Sequence, residues 1–79
     1  MTIVQPTSTT VLDATGLQCP LPVLKARKVL KALEAGSILE VLATDPSAVG
    51  DFAAYCESSG YTLVDWSEEA GVYKFRLRK

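Results

Sequence analysis

Histidine is absent from this chain, and only two cysteines, one methionine and one tryptophan occur in its 79 residues. Without histidine the chain lacks the commonest general base and the commonest zinc ligand. A Ser-His-Asp or Cys-His catalytic arrangement is excluded, and so is a Cys₂His₂ finger. Two cysteines form one bridge at most, which excludes a disulfide-dense secreted scaffold. They stand 37 positions apart with no Cys-x-x-Cys pair, so neither a metal site nor a cofactor site is expected. Gly16 is isolated, so there is no glycine-rich phosphate loop. No run approaches the ~18 apolar residues of a membrane span. The N-terminus lacks the basic-then-apolar pattern of a signal peptide. A net charge of −1 and a sequence pI of about 5.2 give no bulk drive toward nucleic acid. The expectation is a small cytoplasmic protein with reduced thiols and no membrane partner.

The charges that are present are unevenly placed. Four bases fall at Lys25, Arg27, Lys28 and Lys31, and the other four at Lys74, Arg76, Arg78 and Lys79. Between Glu34 and Tyr73 there are eight acids and no base. Such a split serves partner docking more often than folding, with ordinary solvated faces as the alternative reading.

Residues 1–8 carry Pro6 among polar residues and no hydrophobic period, so they read as a flexible tail ahead of a domain over 9–79. Thr9 to Ala14 is rich in β-branched residues and reads as a first strand, broken by Gly16. From Pro20 the period becomes helical, with Val23, Ala26, Leu30 and Leu33 on one face, widened by Leu24 and Val29. Gly36 is expected to stop that helix in the left-handed conformation. Ile38 to Ala43 reads as a mostly buried strand. Asp45-Pro46 is expected to open a second helix, with Asp45 as cap and Pro46 at the first helical position. Val49, Phe52, Ala53 and Cys56 mark its apolar face. Gly50 inside it costs on the order of 1 kcal/mol against alanine, which points to a close backbone approach. Gly60 ends it. Tyr61 to Ser67 is a third strand, Glu68 to Gly71 a turn, and Val72 to Arg78 a fourth strand. Tyr73, Phe75 and Leu77 face one way and Lys74, Arg76 and Arg78 the other.

The order β-α-β-α-β-β predicts an α/β (α+β) two-layer sandwich, a four-stranded mixed sheet with two helices on one face. The opposite face then carries the basic strand with Glu40, Ile38 and Leu42.

The informative stretch is Gly16-Leu17-Gln18-Cys19-Pro20-Leu21-Pro22. Two prolines in three residues are tolerated where N–H groups have no intrahelical partner, which is the first turn of a helix. Cys19 therefore stands at the helix lip, at the positive end of the macrodipole, where thiolate is favoured and the pKa falls. Pro20 and Pro22 remove two donors and leave the N–H groups of Leu21 and Val23 to face the sulfur. A buried apolar cysteine is the bland alternative for Cys19. It is the preferred reading for Cys56, which shares a helical stripe with Phe52 and Ala53. Asp45 is read first as a cap. A parallel β-α-β unit also brings it to the sheet edge that hosts Cys19, where it becomes a candidate for orienting a partner.

Cys19-Pro20-Leu21-Pro22 resembles the Cys-Pro-x-Pro signature of the TusA family of sulfur carriers, also called SirA-like. The similarity continues in order through Leu12-Asp13-Ala14, Gly16-Leu17, Arg27-Lys28, Asp45-Pro46 and Gly60, and covers about Leu12 to Lys79. The resemblance implies a two-layer α/β sandwich and a sulfurtransferase-type carrier that holds sulfur on Cys19 as a persulfide. Gly16, Pro20 and Pro22 would support the motif, and Arg27, Lys28, Lys31 and Asp45 would meet partners. It implies a donor such as a cysteine desulfurase or a rhodanese-like protein, and a DsrE-type or other acceptor protein. The sulfur would go to tRNA thiolation, sulfur oxidation or cofactor assembly. Direct, specific nucleic-acid binding is not expected.

Two other readings stand beside the carrier. One is a regulatory or nucleic-acid-contacting module using the basic strand, which the acidic pI opposes. The other is a thiol redox sensor at Cys19, which lacks a nearby resolving cysteine in the sequence.

Overall fold

A computed structural model describes residues 9–79, and the tail expected over residues 1–8 lies outside the described residues. The element order is β1 (Thr9–Ala14), α1 (Leu21–Ala32), β2 (Ile38–Ala43), α2 (Ala48–Ser59), β3 (Thr62–Glu69) and β4 (Val72–Arg78). They form one four-stranded mixed sheet in the order β1-β2-β4-β3. β1 runs parallel to β2, from Thr9 opposite Ile38 to Ala14 opposite Ala43. β4 lies antiparallel between β2 and β3. The crossover through α2 therefore lands one strand away and leaves a slot that the final strand fills. This is the split form of the β-α-β unit.

The core lies between the helices and one sheet face. Leu39, Val41, Phe75 and Leu77 point inward from the two central strands and are fully buried. Phe52 of α2 meets Phe75 with ring centroids 4.7 Å apart. Aromatic pairs at this separation add roughly 0.5–1.5 kcal/mol to their area burial. The buried stripe of α1 is Pro22, Ala26 and Leu30, and that of α2 is Ala48, Phe52 and Cys56.

Several details differ from the sequence expectation. Leu24 is exposed and Pro22 buried, because α1 starts one residue past Pro20 and turns its stripe accordingly. Ala53 is exposed, since the i, i+4 row from Ala48 already faces the sheet. α1 ends at Leu33 in an extended conformation, and Gly36, at φ +91°, serves the turn into β2 instead. Its last carbonyls are met from outside the helix. Lys79 Nζ donates to the Leu33 carbonyl at 2.6 Å and the Lys31 carbonyl at 3.4 Å. α2 begins at Ala48, after a turn in which Ala48 N–H donates to the Asp45 carbonyl. Gly60 caps it at φ +84°, its N–H bonding Cys56. β3 runs on to Glu69, so the hairpin loop is Ala70-Gly71 alone, both at positive φ. That is the pattern of a type I′ turn, whose twist matches the strands. A register shift between Leu63 and Asp65 interrupts the alternation of β3.

No close approach explains Gly50: a Cβ built there meets nothing within 4 Å. The position is an exposed helix interior with an ordinary helical backbone. Gly50→Ala is therefore expected to raise the unfolding free energy by about 1 kcal/mol, read from urea unfolding midpoints at unchanged m-value. A loss of stability would mean that the glycine answers a contact outside this chain.

Candidate functional site

Parallel pairing of β1 and β2 sends both chains out at the same sheet edge, where the loops after them meet. Gly16, at φ +81°, turns the first loop back over the edge, and its N–H donates to Thr44 Oγ1 at 2.8 Å. Three residues on, Cys19 N–H donates to Asp45 Oδ2 at 2.7 Å. The other carboxylate oxygen, Oδ1, accepts from Ser47 N–H at 2.9 Å. Asp45 thus closes the turn into α2 and holds the cysteine loop with the same side chain. These bonds hold its carboxyl below the usual range, the Cys19 N–H contributing most and the Ser47 N–H next.

Gly16, Cys19, Thr44 and Asp45 line one open-sided cleft together with Leu17, Gln18 and Pro46. Cys19 is exposed there, while Cys56 is buried against the sheet, where burial pushes its thiol pKa up. Pro20 flanks α1 directly after the cysteine, and Pro22 is packed into the core. The second proline therefore anchors the helix end as well as shaping it.

The electrostatics of Cys19 differ from the sequence expectation. The Leu21 N–H is already spent on the Gln18 carbonyl at 2.8 Å, so one of the two donors expected to face the sulfur is unavailable. The thiol pKa is raised above its ordinary value. Hydrogen bonding to the Asp51 carboxylate is the largest cause, followed by desolvation and the charges of Asp51 and Asp45. Two full negative charges outweigh the roughly half-charge of a helix N-terminus. The shift is upward, so the expected thiolate-favouring shift does not occur.

Asp51 was not singled out from the sequence. An acid in the first turn of a helix is the ordinary complement to its dipole, so the residue carries no distinguishing signal. Two exposed leucines were missed as well. Leu21 and Leu24 are 45% and 47% exposed and stand beside the cysteine on α1. Their spacing continues through Lys28 and Lys31, giving one helix face that is apolar near Cys19 and cationic farther away. Arg27 and Lys31 begin roughly 9 and 15 Å along the helix from its first residue. They flank the cleft and do not line it. Arg27 turns toward α2. Burial, with Tyr61 nearby, pushes the Tyr55 phenol up, and the Arg27 charge opposes that rise.

Comparison with known proteins yields a consistent set of relatives. A family model described as sulfurtransferase TusA matches residues 10–79. The chain is 47% identical over 68 residues to the sulfur carrier protein TusA of Allochromatium vinosum, covering 86% of this chain and 90% of that one. It is also 47% identical over 68 residues to the sulfur carrier protein TusA of Pseudomonas entomophila, covering 86% and 85%. Among solved structures, a SirA-like protein from Desulfitobacterium hafniense superposes with a TM-score of 0.79 at 30% identity, covering 87% of this chain and 95% of that one.

The Asp45 bonds have a consequence for pH. A carboxyl whose folded pKa is depressed contributes stability above its unfolded pKa and loses it as pH falls through the folded value. Asp45→Ala is therefore expected to melt below the wild type near neutral pH, with the gap closing as the pH drops below the ordinary aspartate range. Thermal melts of both proteins from pH 7 to pH 2 check this. A gap that stays constant to pH 2 would show that the carboxylate bonds add nothing to stability.

Proposed function

The chain belongs to the TusA family, and from that premise we propose that it is a sulfur carrier loaded at Cys19. The observation that carries this reading is the exposed cysteine at the mouth of an open cleft, fixed through its own backbone by Asp45. A carrier must offer its sulfur to the sites of other proteins, and a thiol on a pinned loop beside a helix end can enter them.

The transfer is a thiol–persulfide exchange. The Cys19 sulfur, once deprotonated, attacks the outer sulfur of a donor persulfide. A new S–S bond forms at Cys19 and the donor S–S bond breaks. The donor cysteine leaves as thiolate and takes the equivalent of the proton that Cys19 lost. Delivery repeats the exchange, with an acceptor thiol attacking the outer sulfur and Cys19 leaving. No electron is gained or lost overall, so no redox cofactor enters. The donor class that fits is a cysteine desulfurase or rhodanese-like protein, and the acceptor a DsrE-type or other thiol protein.

The partner footprint follows from the surface beside Cys19. Leu21 and Leu24 supply apolar contact next to the sulfur, and Lys28, Lys31 and Arg27 supply an outer basic region. The matching partner surface is apolar at its reactive cysteine and acidic at its rim. Rim charges of this kind set association rate and salt dependence more than affinity. With a Debye length of about 8 Å at physiological ionic strength, their contribution fades with added salt.

Incubation with a cysteine desulfurase and cysteine, followed by intact-mass measurement, tests the site. Wild type should gain a reducible increment of one sulfur atom, and folded Cys19→Ser should gain none. Cys56→Ala should load normally and lose about 1 kcal/mol of stability through a small cavity. Wild-type loading of Cys19→Ser would refute the assignment, and failure of a folded Cys56→Ala to load would make Cys56 a second relay thiol.

The footprint has a separate test in the association rate with that desulfurase. Wild type should associate several-fold more slowly as salt is raised from 50 to 500 mM. Arg27→Glu should start slower and respond less to salt. Equal, flat responses of the two proteins would leave α1 as a plain solvated face.

A further inference from the structure

The loop that carries Cys19 is tied on both sides of one hinge. On the strand side, Asp13 Oδ1 accepts from Thr15 N–H at 3.0 Å and from the Thr15 hydroxyl at 2.6 Å. On the helix side, Leu21 N–H donates to the Gln18 carbonyl and Cys19 N–H to Asp45 Oδ2. The hinge between them is Gly16, whose φ of +81° lies in the left-handed region that glycine adopts without strain. A Cβ built there meets nothing within 4 Å, so packing does not hold the hinge. What reaches it is Thr44, the first residue past β2, whose Oγ1 accepts from Gly16 N–H at 2.8 Å. That is the one side-chain hydrogen bond of Thr44 among the described residues. Thr44 lines the same cleft as Gly16 and Cys19.

We propose that Thr44 is a positioning residue for sulfur transfer: its hydroxyl latches the Gly16 hinge and thereby fixes where the Cys19 sulfur stands when a partner docks. This deepens the carrier reading and rests on it. Asp45 grips the loop at the cysteine, and its neighbour Thr44 grips it at Gly16. Two grips fix both the place and the direction of the short segment between them, whereas one grip leaves it free to pivot. Thiol–persulfide exchange between two docked proteins needs the attacking sulfur aligned with the S–S bond that breaks. A misplacement of about 1 Å in such a geometry costs up to about 100-fold in rate. A small reagent has no such requirement, because it approaches the exposed thiol from any open side. Thr44 therefore acts on transfer between proteins and leaves the intrinsic reactivity of the thiol alone. Asp45 also bonds Ser47 N–H at the turn into α2, so its removal disturbs that helix start, while removal of the Thr44 hydroxyl frees the hinge and nothing else.

The test compares wild type with Thr44→Val, which keeps the branched shape and removes the acceptor, and with Thr44→Ser, which restores it. Loading by a cysteine desulfurase should be about three- to tenfold slower for Thr44→Val at saturating carrier, with KM nearly unchanged because the α1 footprint is intact. The Gly16 amide of Thr44→Val should exchange faster with solvent by NMR, and alkylation of Cys19 by iodoacetamide should match wild type. Thr44→Ser should return both loading and amide exchange toward wild type. Full-speed loading of Thr44→Val beside a wild type that loads would overturn the proposal and leave the carrier reading intact. A wild type that takes up no sulfur would remove the carrier reading, and this role with it. Alkylation slowed as much as loading would overturn the proposal, since the bond would then act on the thiol or on the fold. A Thr44→Ser that loads as slowly as Thr44→Val, or a Gly16 amide that exchanges equally in all three proteins, would overturn it as well.

Discussion

The parallel pairing of β1 with β2 governs the rest of the site. Parallel neighbours leave a sheet at the same edge, and a crossover helix must start and finish between them. The loop that returns into α1 and the loop that leaves β2 are thereby brought face to face, although they are far apart in the chain. Two bonds exploit that meeting, Gly16 N–H to Thr44 Oγ1 and Cys19 N–H to Asp45 Oδ2. Both run from a backbone donor in the first loop to a short side chain at the head of the second. The cysteine is consequently positioned by its main chain, leaving its side chain free to reach outward. Open α/β sheets commonly place ligands beyond the carboxyl ends of parallel strands. Here that edge holds a thiol.

The same edge explains the charge pattern. α1 reaches the cysteine with its N-terminus and carries its bases along its length, while α2 carries Asp51 in its first turn and no base at all. The sulfur sits on the border between a basic and an acidic helix. Macrodipole arguments made from one helix alone give a thiolate, and adding the second helix reverses the sign. The full charges of Asp51 and Asp45 weigh more than helix-end partial charges, one of whose N–H groups is already bonded to the Gln18 carbonyl.

Much of this architecture is legible in the residues. β1, β2 and β4 fall where they are expected, β1 from its β-branched residues, β2 from its apolar run and β4 from an alternation that cannot slip by one residue without exposing its buried face. The mixed sheet with both helices on one face follows from six elements and two apolar helix stripes. The helix starts are less legible. Prolines are compatible with several first-turn positions, so α2 begins at Ala48 when Asp45-Pro46 is expected to open it, and the α1 stripe rotates from Leu24 toward Pro22. The Lys79 cap on α1 and the Gly16 bond to Thr44 are invisible to any local pattern. Each joins residues whose proximity exists only after the sheet has formed. Cys19, Gly16 and Asp45 are legible as neighbours because a parallel unit predicts a shared edge. Arg27, Lys28 and Lys31 are legible as a cluster, but helix rise carries them away from the sulfur.

A raised thiol pKa bears on release as well as on loading. In thiol exchange the rate depends on the attacking thiolate and on the leaving thiol, and a sulfur of higher pKa leaves more slowly. On the proposed carrier reading Cys19 is the leaving group at delivery, and the carboxylates that raise its pKa beforehand oppose its departure afterwards. The arrangement is therefore symmetric in time. On that reading the same electrostatic cause slows both loading by small persulfides and loss to small thiols. The cleft around Cys19 is open, so on that reading charge beside the sulfur, and not enclosure, sets how readily it exchanges.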